Sequence, residues 1–293
     1  MPRETETLKL LRTLQGLYKP SSEEVCKLAG IAKLNKLYLA YLRRVGDALG
    51  SELIREEAKY RWFIRNVAGV VEVLESTGAN YTLYKFRRPF EHVSVDLDIL
   101  VRVEDVPRVV RALVSRGFKV VAWEPYTVTL ARCGFIVDLY TYPSFAWVVY
   151  MDGEELLRCC AEEIEIGRVR ASALTREAEA VVAAAHAVYK EHMVLLIDCL
   201  TMWAWTGKST WSLANKLDAS KALETLHSTC RAIGAGYAEA PHKLKLYIVA
   251  EVLFKKFLKD AAFRTTILNV FRYVLSQREA GTKILSRLIR ISY

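Results

Sequence analysis

The hydrophobic positions along this chain follow one period near its two ends and another in its middle. Residues 4–18, 34–49 and 52–76 carry apolar side chains three or four positions apart, which is the spacing of one helix face. Between residues 78 and 142 the apolar runs become short and are separated by turn signals, as in strands. The helical spacing returns after residue 150. The pattern therefore predicts an α+β protein.

This change of period divides the chain into three predicted parts. Residues 1–77 form a helical segment, residues 78–150 a small α/β core with a mixed sheet, and residues 151–293 an all-helical domain, basic from 241 onward. In the core, strands are predicted at 81–86, 93–103, 118–123, 126–131 and 135–142, with a helix at 105–116. In the last part, residues 164–171 can form a short hairpin. Helices are predicted there at 154–161, 177–205 (with a break near 191–193), 214–233, 241–258, 261–277 and 282–289.

Two carboxylates, Asp96 and Asp98, interrupt an otherwise apolar strand at residues 95–101. Because side chains alternate between the two faces of a strand, both point the same way, about 6.6 Å apart. Such a pair is unfavourable unless a positive charge lies between them, and Mg²⁺ prefers hard oxygen ligands of this kind. Asp138 stands alone in a second apolar strand. Three acids on neighbouring strands are what a two-metal phosphoryl-transfer site requires.

An aspartate near a strand end can also be a turn former or a solvated edge residue. Here the apolar run continues to Val103, and the turn signal comes only at residues 104–107. A basic segment with Lys85, Arg87 and Arg88 precedes the acidic pair. These flanking residues favour a metal site over a turn.

Several motifs in a fixed order carry a resemblance to a known family. They are Leu83-Tyr84-Lys85-Phe86, Arg88-Pro89, Asp96-Leu97-Asp98-Ile99-Leu100-Val101, Gly117-Phe118 and Val137-Asp138-Leu139. This set resembles the nucleotidyltransferase fold of the DNA polymerase beta superfamily, and within it an uncharacterised prokaryotic nucleotidyltransferase-like family with a C-terminal helical domain. Asn66, residues 174–177, His186, residues 190–192 and Asp198 extend the resemblance over about residues 50–205.

The resemblance implies a role for each of the three acids. Asp96 and Asp98 would hold two Mg²⁺ ions, for which Mn²⁺ can substitute, and Asp138 would ligate the catalytic metal and help to deprotonate the attacking hydroxyl. The metals would neutralise charge on a nucleoside triphosphate as pyrophosphate leaves. Lys85, Arg87, Arg88 and Lys190 are the predicted nucleotide-binding residues.

The chain departs from the family at the phosphate-binding turn. The superfamily places Gly-Ser or Gly-Gly there, so that bare backbone amides can approach the triphosphate. This chain has Lys85-Phe86 instead, and no glycine occurs between Ala79 and Arg116. Either the neighbouring cations take over phosphate binding, or nucleotide binds weakly, or catalysis has been lost.

The charge distribution bears on the acceptor, which could be RNA, a protein side chain or a small molecule. The formal net charge is +9, and residues 241–293 hold eleven Lys and Arg against three acids. Such a basic region favours a nucleic acid such as tRNA, although a solvated helix face is the ordinary alternative. The predicted nucleic-acid-binding residues are Lys255, Lys256, Lys259 and Arg264. A second hypothesis is a catalytically inactive nucleic-acid-binding module, since residues 1–50 offer a helix-turn-helix-like order.

Other sequence features bear on the location of the protein, on its cysteines and on one histidine. No apolar run approaches the roughly 18 residues that a membrane span needs, and the first residues lack the order of a signal peptide, so we expect a cytoplasmic protein with no membrane partner. The six cysteines show no CxxC spacing, which argues against zinc and for reduced thiols. Only two glutamines occur, a weak sign of a thermophilic source. His186, in an alanine-rich stretch, is interpreted as a hydrogen-bonded core residue.

Overall fold

A computed structural model describes residues 5–276 and 290–293 of the chain. The helix predicted at 282–289, with Arg278, Lys283 and Arg287 of the basic region, lies outside the described residues. The chain begins with four α-helices: α1 (Glu6–Leu14), α2 (Ser22–Leu34), α3 (Tyr38–Val45) and the long α4 (Gly50–Thr77). The apolar spacing at 4–18, 34–49 and 52–76 predicts α1, α3 and α4, and α2 lies between the first two of these ranges. Ser21 starts α2 with a capping box, in which its hydroxyl accepts from the Glu24 amide.

The middle of the chain forms nine β-strands and two α-helices. They are β1 (Tyr81–Leu83), β2 (Asp96–Val101), α5 (Val106–Ser115), β3 (Lys119–Glu124), β4 (Thr127–Arg132), β5 (Phe135–Tyr140), β6 (Ser144–Phe145), β7 (Val148–Val149), α6 (Gly153–Cys159), β8 (Ala161–Ile166) and β9 (Val169–Leu174). Seven of these strands make one sheet in the order β3-β4-β5-β2-β1-β9-β8. The pairs β2–β5 and β1–β9 are parallel and the others antiparallel, which confirms the predicted mixed sheet.

The hairpin predicted at 164–171 is longer than expected and belongs to the main sheet. Its second strand, β9, pairs in parallel with β1, where Leu83 lies opposite Ala173. The small side chains of Ala171 and Ala173 and the side chain of Ile166 let this hairpin pack under α4. The sheet therefore continues past the predicted core boundary at residue 150.

The rest of the chain is mainly helical. Its elements are α7 (Arg176–Ala185), a π-helical turn (His186–Glu191), β10 (Met193–Val194), α8 (Leu196–Trp205), α9 (Lys208–Lys216), α10 (Ser220–Gly234), β11 (His242–Lys243), α11 (Leu246–Lys259), α12 (Ala261–Thr266) and α13 (Asn269–Ser276). The predicted break near 191–193 is confirmed by the π-helical turn and by β10. Within the described ranges, no helix is both long enough and apolar enough to cross a membrane.

The cysteines differ from the expectation of reduced thiols. Cys199 on α8 is bonded to Cys230 on α10, and Cys159 is bonded to its neighbour Cys160. Cys26 and Cys133 are free. The prediction was wrong for the four bonded cysteines. For Cys199 and Cys230 the reason is that sequence spacing does not show that α8 and α10 pack together.

The sheet separates two hydrophobic clusters, and this arrangement orients the acids. Leu97 and Ile99 of β2 pack on one face against α4 and α5. Leu100 of β2 and Tyr140 of β5 belong to the cluster on the other face, which includes α6, α7, α8 and α10. Because strand side chains alternate, Asp96, Asp98 and Asp138 share this second face and point toward the C-terminal helices.

Candidate metal and phosphate site

The register of two parallel strands brings the three predicted acids together. In the β2–β5 pair, Asp98 lies directly opposite Asp138, and Asp96 is two positions earlier on β2. One carboxylate oxygen from each of the three lies within 4.8 Å of the other two. We call these residues the acid cluster. The predicted convergence on adjacent strands and on one face is confirmed.

The acid cluster has the donor chemistry that a divalent ion requires. Asp98 is only 8% exposed, and its Oδ1 is buried without a hydrogen bond from any residue that the structure describes. A buried carboxylate oxygen that lacks a partner is costly, and a metal ion would satisfy it. Asp96 keeps a second interaction, since its Oδ1 accepts a hydrogen bond of 3.0 Å from Ser94 Oγ. The residues present therefore fit Mg²⁺ or Mn²⁺.

Asp138 accepts a hydrogen bond from a residue of the neighbouring strand β4. Thr129 lies opposite it in the β4–β5 pair and donates its hydroxyl to Asp138 Oδ1 at 2.5 Å. Burial, and next the charge of Asp98, raise the pKa of Asp138 to about 6, while the Thr129 hydrogen bond acts in the opposite direction. Repulsion from the neighbouring carboxylates acts in the same direction as burial on the pKa of Asp138.

Lys85 extends into the acid cluster from the turn that follows β1. Its backbone adopts a left-handed conformation with φ 58°, which favours glycine. Its Nζ lies 2.7 Å from Asp98 Oδ2, and both side chains are largely buried. Burial alone would lower the pKa of the Lys85 ammonium, but the carboxylates, Asp98 above all, raise it above its usual range. Lys85 is therefore a counter-ion of the acid cluster.

A residue that the sequence analysis missed fixes this turn. Glu179 on α7 is fully buried, and its Oε1 accepts the backbone N–H groups of Phe86 at 2.9 Å and Arg87 at 3.1 Å. Burial raises the pKa of Glu179 to about 7, against the opposing effect of Arg88 and of these hydrogen bonds. The only signal in the sequence is a lone acid within the apolar positions 178–185.

The acid cluster lines one wall of a cavity of about 560 Å³, which we call the acid cavity. The other walls carry cations, and two of them, Arg88 and Lys190, were predicted to bind nucleotide. Arg88 Nη1 is buried and donates to no residue in the described part of the chain. A third cation, Lys36, was not predicted, because it comes from the turn between α2 and α3.

Residues 290–293 close the acid cavity on another side. Arg290 pairs with Glu191, and the Tyr293 hydroxyl donates to Asp198 Oδ2 at 2.5 Å. The ring of Tyr293 lies 5.1 Å from that of His186. His186 is 7% exposed, and burial lowers its pKa well below the usual value, so the interpretation as a core residue is confirmed.

Arg87 does not have the predicted nucleotide-binding position. Its guanidinium pairs with Glu162 of β8 and donates to the Leu174 carbonyl at 3.1 Å. The guanidinium therefore ties the turn to the β8–β9 hairpin and does not line the acid cavity.

The predicted nucleic-acid-binding residues of the C-terminal region fall into two groups. The prediction for Lys256 was wrong: it is 2% exposed, pairs with Asp260 at 2.7 Å and donates to the Asp218 carbonyl at 2.9 Å. Lys255, Lys259 and Arg264 are exposed, and their role stays a prediction. Lys255 pairs with Glu251 at 2.7 Å, and Arg264 donates to the last carbonyls of α11. None of these residues lines the acid cavity.

Comparison with known proteins does not assign the chain to a family. The chain matches no protein-family model and no curated protein. The resemblance to nucleotidyltransferases therefore depends on the motifs named above and on the chemistry of the acid cavity.

Proposed function

We propose that the protein is an Mg²⁺-dependent nucleotidyltransferase, which moves a nucleoside monophosphate from a nucleoside triphosphate to a hydroxyl acceptor. The observation that carries the proposal is the acid cluster, three carboxylates within 4.8 Å on adjacent strands that face a cavity with cationic walls. Two bound divalent ions would neutralise the charge that develops on the transferred phosphoryl group.

Different residues would bind the metal ions, orient the phosphates and accept the proton of the acceptor hydroxyl. Asp96, Asp98 and Asp138 would hold the ions, and Arg88 and Lys190, which line the same cavity, would orient the phosphates. In the protein without a bound metal, burial raises the pKa of Asp138 to about 6, so its carboxylate is mostly ionised at neutral pH. It can therefore accept the proton of an acceptor hydroxyl as a general base.

A second candidate, a catalytically inactive nucleic-acid-binding module, is favoured by one observation. The Lys85 ammonium, 2.7 Å from Asp98 Oδ2, compensates the acid cluster without a metal. Lys85 also stands where a glycine would give a triphosphate access to the backbone. The two candidates differ in whether nucleotide binding depends on a divalent ion.

Calorimetric titration of each nucleoside triphosphate, with and without Mg²⁺, distinguishes them. The transferase proposal expects binding that requires the ion and that falls by more than about tenfold in Asp98→Asn, since loss of even an indirect metal contact has that effect. The matched control is Glu104→Gln, which changes an exposed carboxylate to an amide in the same part of the chain. Pyrophosphate release should follow the same pattern when an acceptor is supplied.

Metal-independent binding, or binding that Asp98→Asn leaves intact, would remove the two-metal mechanism. The inactive module would then be the better account of the fold. Loss of binding in Glu104→Gln as well would show that the amide substitution acts through stability and not through the metal.

A further inference from the structure

A second cavity adjoins the acid cavity. Its volume is about 520 Å³, close to the 560 Å³ of its neighbour. The two share the wall residues Lys36, His92, Ser94, Val95 and Tyr293. Each volume suits one ligand of small-molecule size. A transfer reaction brings a donor and an acceptor together, and two adjoining cavities offer a position for each.

The second cavity is lined by the N-terminal helices and is positively charged. Lys33, Lys36, Arg55 and Lys59 lie in its wall, against Glu52 and Glu56. Glu56 is paired with Lys59 at 3.0 Å. Lys33 and Arg55 are exposed, and neither forms an ion pair with a carboxylate of the described residues. We call this space the basic cavity.

The basic cavity also offers aromatic surface. Tyr38, the first residue of α3, lies in its wall, with Lys33 Nζ 4.4 Å from the centre of its ring. Tyr293 forms part of the wall toward the acid cavity. Val95, in the wall that the two cavities share, is 77% exposed. Cationic side chains beside aromatic rings in an open groove are the features that bind single-stranded nucleic acids, since bases stack and phosphates pair.

We infer that the basic cavity binds the end of a single nucleic-acid strand, which passes Lys36 so that its terminal hydroxyl reaches the acid cluster. This inference rests on the proposed function, because it assigns the acceptor of that reaction. It places the acceptor beside the N-terminal helices, whereas the basic residues of α11 and α12 do not line either cavity. A polymer suits the site because Lys33, Arg55 and Lys59, which line only the basic cavity, are exposed, so that the rest of the strand can leave there.

The test measures binding of a short single-stranded RNA by fluorescence anisotropy over a range of salt concentrations, without nucleotide or divalent ion. In the wild-type chain the logarithm of affinity should fall linearly with the logarithm of salt, by about 0.7 per phosphate contact. The variant Lys33→Gln/Arg55→Gln should lower that slope by about 1.4, because two contacts are lost. The charge-preserving variant Lys33→Arg/Arg55→Lys should retain most of it.

The matched control, Lys255→Gln/Lys259→Gln, removes two positive charges from α11 and should leave the slope unchanged. Failure of the RNA to bind at low salt would overturn the inference, and so would a slope that changes in the α11 variant but not in the cavity variant. Inorganic phosphate is titrated in parallel. If it binds at Lys33 and Arg55 while the RNA does not, the acceptor is a small phosphorylated compound and the strand is excluded.

The proposed function is tested by a separate measurement. Metal-dependent binding of a nucleoside triphosphate is measured on the same Lys33→Gln/Arg55→Gln protein. Absence of metal-dependent nucleotide binding in the wild-type chain would contradict the proposed transferase. Absence of RNA binding alone would contradict only the proposed acceptor site.

Discussion

Each carboxylate of the acid cluster has its own partner. Asp96 accepts from Ser94, Asp138 accepts from Thr129, and Asp98 is paired with Lys85. The Lys85 pair is the strongest of these interactions, since the 2.7 Å contact joins two opposite charges that are largely excluded from water. Its removal is therefore the most informative change at the scale of single residues.

Substitution Lys85→Met should destabilise the metal-free protein by about 3 kcal/mol, because a buried carboxylate loses its counter-ion. The same variant should gain more stability from Mg²⁺ than the wild-type chain, since the ion no longer competes with an ammonium group. Both effects are measured as urea midpoints with and without millimolar Mg²⁺.

Lys255→Met is the control for this prediction. It removes an exposed ion pair with Glu251 one helical turn away, which should lower stability by less than about 0.5 kcal/mol. Equal losses in the two variants would show that the Lys85 pair is not maintained in solution.

The acid cluster could be predicted from the sequence because its geometry follows from local rules. Strand alternation placed Asp96 and Asp98 on one face, and the apolar run around Asp138 identified a second strand. The same rules cannot distinguish Lys255 from Lys256. Adjacent helical residues point about 100° apart, and only tertiary packing shows which of the two is turned inward toward Asp260. Lys36 was missed because it comes from a distant turn.

At the scale of elements, α7 and the turn after β1 depend on each other. Glu179 of α7 accepts two backbone N–H groups of the turn and carries no exposed surface. Its ordinary pKa of 4.5 is raised to about 7 in the folded protein. Between these values the unfolded chain releases the proton and the folded chain keeps it. The folded state therefore binds more protons, and stability falls as the pH rises through this range.

We expect the free energy of unfolding to fall by about 3 kcal/mol between pH 4.5 and 7 on account of Glu179 alone. In Glu179→Gln the amide oxygen can still accept the two N–H groups, and this part of the pH dependence should disappear. Urea unfolding at several pH values measures both proteins.

Glu177→Gln, a partly exposed position on the same helix, should keep the wild-type pH profile. The explanation fails if the wild-type and Glu179→Gln proteins lose stability in parallel over this range.

At the scale of the whole molecule, the sheet lies between the two hydrophobic clusters and contributes residues to both. The α+β class and the mixed sheet were predictable, because the change from helical to alternating spacing near residues 78–81 is a property of the sequence. The attachment of β9 to β1 was not, because a hairpin of alternating residues can pair with any open edge of a sheet. Pairing across such a sequence distance depends on the packing of α4 over the β8–β9 hairpin.

The acid cluster lies on the strands that both clusters share, so an ion bound there should stabilise the whole fold. If Mg²⁺ binds only the folded state, the gain is about 2.7 kcal/mol when its concentration is a hundred times the dissociation constant. Thermal unfolding with millimolar Mg²⁺ should therefore shift equally when followed by far-UV circular dichroism and by tryptophan fluorescence. The fluorescence reports on both clusters, because Trp62 packs on Phe135 in one and Trp211 on the other.

Asp138→Asn should lose most of this shift, and the exposed substitution Glu104→Gln should keep it. A wild-type midpoint that does not respond to Mg²⁺ or Mn²⁺ would mean that the Lys85 ammonium already fills the electrostatic role of the metal. The fold would then have kept the geometry of a metal site while using an internal cation in its place, as the inactive module requires.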